Sequence, residues 1–152
     1  MKRRARSLAA SALAFAIMSF ASPSAHAVAT FELLNGDAPG AGFNDPTPAA
    51  PIGGNMGATL GEQRRIAFDY ALDMWARVLE SEVPIVVAAT FDPAEFECIN
   101  NFAPLGHAGS FSIEAMVPGA DPNLIMSDAL GDQIAGYDLA PGYPDIEAAF
   151  NG

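Results

Sequence analysis

The junction at Pro84 constrains the fold more than any other feature of the sequence. Upstream of it, Thr59 to Glu82 carries Phe68, Ala71, Leu72, Trp75, Val78 and Leu79 at helical spacing. Arg65, Asp69, Asp73, Arg77 and Glu80 fall on the opposite side. Thr59 and Glu62 form a capping-box signature at the start, and Arg65–Asp69 and Asp73–Arg77 are favourable i,i+4 pairs. Downstream, Pro84 to Phe91 (P-I-V-V-A-A-T-F) is an apolar run rich in β-branched residues and reads as a buried central strand. Pro84 stops the helix, and so short a connection packs helix and strand back to back. Val28 to Leu34 reads as an earlier strand ended by Asn35-Gly36-Asp37. The order strand, helix, strand predicts a right-handed crossover between parallel strands. Trp75 lies in the apolar stripe and is expected in the core.

Between the first strand and the helix, residues 35–58 consist almost wholly of Gly, Pro, Asn, Asp, Ala and Thr. A loop of that length inside a compact domain is usually functional or disordered. Phe43 and Ile52 are its expected anchors on the core. After Asp92-Pro93 the pattern weakens. Ser110 to Val117 alternates like a strand, Asn123 to Leu130 fits a short strand or helical turn, residues 131–144 look loop-like, and Asp145 to Phe150 fits a strand or helical turn. The fold class is therefore α/β (α+β): a small mixed sheet with one long amphipathic helix packed on it.

Residues 1–27 have the three parts of a cleavable signal peptide. Lys2, Arg3, Arg4 and Arg6 are basic, Leu8 to Phe20 is apolar, and Ala25-His26-Ala27 follows the small-x-small cleavage rule. The apolar run falls short of the roughly 20 residues a membrane span needs, which sets cleavage above an uncleaved anchor. The domain that remains, residues 28–152, is expected to be secreted or periplasmic and free of the membrane. It would keep three arginines against 18 acidic residues, a net charge of −15. Such a charge repels phosphate backbones and excludes nucleic acid as a partner. It attracts cations or basic proteins, although scattered carboxylates most often serve solubility.

The sequence displays no catalytic constellation. His107 sits in a Gly-rich stretch (L-G-H-A-G-S), and no H-E-x-x-H or Cys-x-x-Cys marks a zinc site. Cys98 is the single cysteine. It fits a buried thiol, an intermolecular partner or half of a disulfide. A Cys98–His107 nucleophilic pair is disfavoured because Glu95 and Glu97 would raise the thiol pKa. Ser110 lacks the G-x-S-x-G context of a nucleophile elbow. Asp37, Asn44 and Asp45 could offer oxygens to a calcium ion, but turn formation accounts for them at lower cost. No catalytic, cofactor-binding or metal-ligating residue is assigned, and no cofactor is expected.

Three stretches together carry a family likeness. They are Gly42-Phe43-Asn44-Asp45-Pro46-Thr47-Pro48 with Gly53-Gly54-Asn55, Thr59-Leu60-Gly61-Glu62-Gln63-Arg64 with Trp75, and Val83-Pro84-Ile85-Val86-Val87 through Phe91-Asp92-Pro93. With the closing Pro144 to Asn151, they resemble the N-terminal part of a family of bacterial exported proteins of the protease-associated-domain and zinc-metallopeptidase type. The opening order of elements resembles metzincin-like catalytic domains. The resemblance implies that Asp145 to Phe150 is a later sheet strand, and that a zinc helix with H-E-x-x-H follows the sheet. The sequence reaches Gly152 without that motif, so no zinc ligand or general base carries over to any position. The expectation is an exported metallopeptidase-like N-terminal segment without catalytic activity by itself. It would take a protein partner or a missing C-terminal half, which would also supply a disulfide partner for Cys98. The alternative is a stand-alone exported binding or structural module on the same scaffold.

Overall fold

The computed structural model describes residues 27–91, 96 and 104–152. Residues 1–26, which hold nearly all of the expected signal peptide, and Cys98 with its acidic neighbours Glu95 and Glu97, lie outside the described residues. The fold is mixed α and β. In chain order it comprises β1 (Phe31–Asn35), a 3-10 turn (Gly42–Asn44), α1 (Leu60–Ala76), β2 (Ile85–Phe91), β3 (Gly106–Ser110), β4 (Ile113–Ala115), β5 (Ile125–Ser127), α2 (Asp128–Ala135) and β6 (Ile146–Phe150). One sheet has the order β1-β2-β6-β3, and β4 pairs with β5 in a small second sheet.

β2 is central, as its apolar run requires. It pairs in parallel with β1 (Phe31 opposite Ile85) and with β6 (Val87 opposite Ile146). A parallel β1–β2 pair is what the loop–helix crossover predicts. Ile85, Val87 and Ala89 are buried while Val86, Ala88 and Thr90 are only half-buried, so one face of the sheet is covered more completely than the other. β3 closes the opposite edge, antiparallel to β6, with Gly106 opposite Phe150.

The core meets α1 at Phe68 and Leu72. Phe43 meets Phe68 and Phe91 edge-on, with ring centroids 5.4 and 5.0 Å apart, and Phe91 stacks on Phe150 at 5.0 Å. Edge-to-face and offset-stacked geometries suit the ring quadrupoles. This cluster ties the long loop, α1, β2 and β6 together. The Arg64 guanidinium lies over the Phe91 ring at 5.0 Å and donates to Gly42 O at 2.9 Å. The loop is therefore ordered by docking onto the helix. Phe43 is a buried anchor as expected, but Ile52 is exposed and anchors nothing. Ile52 sits instead in a tight turn, exchanging backbone hydrogen bonds with Asn55.

The capping box closes in modified form. Thr59 Oγ1 accepts from Glu62 N at 3.1 Å, whereas the Glu62 carboxylate reaches past Thr59 and accepts from Ala58 N at 2.7 Å. α1 ends at Ala76, earlier than the expected Glu82. Arg77 becomes its C-cap residue, its backbone still in the right-handed helical region (φ −76°, ψ −16°). Beyond it the chain turns to clasp residues 27–29, with Ala29 N donating to Leu79 O and Ser81 N to Ala27 O, both at 3.1 Å. The Arg65–Asp69 pair forms, at 2.9 Å.

Three further expectations are corrected. Trp75 is not core: it is 58 % exposed, and Gly61 is the sole fully buried residue of α1. Only Phe68 and Leu72 of the stripe pack on the core cluster, each half-buried. The expected strand Ser110 to Val117 is two strands, β3 and β4, broken at Phe111-Ser112. The loop-like 131–144 begins inside a helix, because α2 runs through Gly131 to Ala135 and ends on Gly136 in the left-handed region, φ 76°. Gly131 is closely packed: a Cβ would lie 3.2 Å from Leu139 Cδ1 and 3.4 Å from Glu114 Cβ, so an alanine there asks for a small shift of the Leu139 side chain.

Candidate functional site

α2 and the start of β6 bring three aspartates together. Asp128 opens α2, Asp132 stands one turn later on the same helix face, and Asp145 immediately precedes β6. Their exposures are 2, 4 and 5 %. One carboxylate oxygen from each lies within 4.8 Å of those of the other two. Among the described residues, no basic side chain pairs with any of them.

Each carboxylate has its own local hold. Asp145 Oδ2 accepts from Val86 N at 2.6 Å, which fastens it to the central strand. Asp132 Oδ1 accepts from Leu139 N at 2.8 Å and so shapes the loop leaving α2. Asp128 Oδ2 accepts from Ser112 Oγ at 2.8 Å, linking α2 to the bend between β3 and β4. Asp128 Oδ1 is buried and, among the described residues, has no hydrogen-bond partner. A buried ionised oxygen without a partner is costly, and native folds seldom leave one so.

The electrostatics follow from three acids in a dry place. Burial raises the Asp145 pKa to about 6, against the Val86 N–H bond that favours ionisation. The charges of Asp132 and Asp128, and the proton Asp145 shares with Asp132, push in the raising direction too. Burial also raises Asp132, with the Asp128 and Asp138 charges adding to it, against the bond from Leu139 N–H. Oxygen-only, anionic and convergent, the group has the donor set for a hard cation.

A second feature adjoins it. A cavity of about 510 Å³ opens between α1 and the sheet, lined by Phe31, Phe68, Leu72, Trp75, Val87 and Ile146, with Asp145 among its walls. Its lining is predominantly apolar, and it is open to solvent along Trp75 and Leu79, the latter 40 % exposed.

Of the residues singled out in the sequence, Ser110 adjoins the cluster and the others lie elsewhere. His107 is on the exposed edge strand β3, its ring 5.6 Å from that of Phe96. Ser110 ends that strand, donating its hydroxyl to Ser112 O, and accepts a long 3.4 Å bond from Asp128 N. Asp37, Asn44 and Asp45 serve the loop. Asp37 accepts from Phe43 N and Phe91 N, Asn44 donates to Asp37 O, and Asp45 accepts from Thr47 N and Arg64. Hydrogen bonding to Thr47 holds the Asp45 pKa below its ordinary value, with Arg64 acting in the same sense.

Comparison with known proteins yields no match: no family model, no curated protein and no solved structure is similar enough to the chain to assign it. Among the described residues, no helix is long and apolar enough to cross a membrane.

Proposed function

We propose that this chain is the scaffold part of an exported metallopeptidase-like domain, without catalytic activity by itself, whose open apolar face takes a further polypeptide segment. The observation that carries the reading is that face. The stripe of α1 is the best-formed apolar surface in the sequence, yet Trp75 is 58 % exposed over an open cavity. Edge strand β3 next to it is exposed at every residue. Uncovered apolar faces and free strand edges in natural proteins mark binding surfaces. The sequence likeness supplies the kind of segment: one carrying a zinc helix that packs beneath the sheet. Its predicted later strand coincides with β6. The signal-like residues 1–27 supply the destination, secreted or periplasmic.

The test is the coding sequence beyond Gly152, followed by co-expression of what it encodes. An H-E-x-x-H helix there, and zinc-dependent peptide cleavage only when both segments are present, is the expected result. Absence of such a helix in every frame removes the reading. The second reading, a stand-alone exported binding or structural module, is favoured by the Phe43–Phe68–Phe91–Phe150 cluster, a core built without outside residues. Cooperative unfolding of a monomer that binds no hydrophobic dye would select it.

A further inference from the structure

We propose that Asp128, Asp132 and Asp145 form a calcium site that joins α2 to the central sheet. This goes beyond the scaffold reading and does not depend on it. The spacing fits a single ion. Two oxygens on opposite sides of calcium, at about 2.4 Å each, are about 4.8 Å apart, and the three aspartate oxygens lie within 4.8 Å of one another. The donor set selects a hard cation over zinc, which prefers nitrogen and sulfur. Calcium's flexible coordination suits a site assembled from a helix and a strand terminus, whereas magnesium demands shorter bonds and near-octahedral geometry.

Asp128 carries the argument by geometry: it is buried, and among the described residues its Oδ1 has no hydrogen-bond partner. A divalent ion serves all three carboxylates at once. Asp132 and Asp145 are held in place from behind by the backbone N–H groups of Leu139 and Val86, and Asp128 by the Ser112 hydroxyl. Such supporting bonds fix ligand orientation at metal sites. With three protein carboxylates, the expected affinity is that of extracellular calcium modules, a Kd on the order of 10⁻⁴–10⁻³ M.

The test is thermal unfolding of the full chain at pH 7, in EGTA and then in about 10 mM calcium at matched ionic strength, with magnesium as a parallel arm. Calcium is expected to raise Tm by about 4–10 °C, and magnesium by markedly less. Asp128→Asn keeps the shape and removes one charge. Its Tm in EGTA should equal or exceed that of the unaltered chain, and its calcium response should vanish. Asp132→Asn should behave in the same way, and serves should Asp128→Asn fail to fold. Asp121→Asn, which alters an exposed turn, should keep the full response. No calcium shift in the unaltered chain, an equal shift with magnesium, or an undiminished shift in Asp128→Asn or Asp132→Asn overturns the site. None of these outcomes touches the metallopeptidase-like reading, which stands or falls on the zinc helix.

Discussion

Asp145 and Val86 hold each other twice across 59 residues of sequence: the Asp145 carboxylate accepts from Val86 N at 2.6 Å, and Asp145 N donates to Val86 O at 2.9 Å. The double bond fixes where β6 joins β2, and the same side chain is the sheet's contribution to the acidic cluster. Structure and candidate chemistry therefore meet in one residue.

Replacing Asp145 separates these roles. Asp145→Ala leaves Val86 N without its side-chain acceptor and should lower stability by about 1–3 kcal/mol. Asp145→Asn retains an acceptor oxygen and removes a buried charge, so it should cost clearly less. Urea unfolding of the two variants in EGTA at pH 7 checks the order, and equal losses would contradict the role given to the Val86 bond.

Stability without calcium should fall as pH rises toward neutrality. Between 3.8 and about 6 the folded chain holds more proton on Asp145 than the unfolded chain does. Its stabilising contribution is complete below the lower value and lost as pH passes the upper, on the order of 2–3 kcal/mol; Asp132, also raised, acts in the same direction. Asp45 and Asp121, both lowered, act oppositely and below that window, where their contribution disappears as pH falls. Denaturation in EGTA across pH 3 to 8 should thus show a maximum near the bottom of the window, and calcium should abolish the decline on its upper side.

Gly61→Ala tests the docking of the long loop. Helix propensity alone predicts a gain of up to about 1 kcal/mol. The new Cβ would instead meet backbone, at 2.5 Å from Phe43 O and 2.8 Å from Asp45 N. A net loss of about 1–3 kcal/mol is expected, as for other overpacked sites. A stabilised variant would show that the loop does not sit on α1 as described.

Phe43 and Trp75 should respond in inverse order to their size. Phe43 is buried within the aromatic cluster, and Phe43→Ala should cost about 3–5 kcal/mol. Trp75→Ala, at an open cavity, should cost under about 1 kcal/mol in the chain alone. A large loss at Trp75 would mean that its face is already covered in solution.

Local signals with one dominant cause were legible in the sequence. The β2 run, the Thr59 cap and the parallel β1–β2 pairing follow from the apolar run, the Thr-x-x-Glu spacing and the strand–helix–strand order, whereas α1 stops at Ala76 and leaves Val78 and Leu79 of the expected stripe in the connection to β2. Burial of Trp75 did not follow, because periodicity says which residues share a face and not whether anything covers it. α2 was hidden by Gly131, which reads as a breaker but sits inside the helix, close against Leu139 and Glu114. With α2 unseen, Asp128 and Asp132 had no helical register to place them on one face. Ser127 before Asp128 and Gly136 after Ala135 were the available cap signals. Asp145 could not be joined to that pair by any local rule, since the sheet alone brings it there.

Equilibrium dialysis of the full chain against about 5 mM calcium, above the expected Kd, tests the central claim most directly. One calcium per chain, lost on Asp128→Asn and retained on Asp121→Asn, is the predicted result. A chain that carries no calcium, or carries as much after Asp128→Asn, would contradict the account.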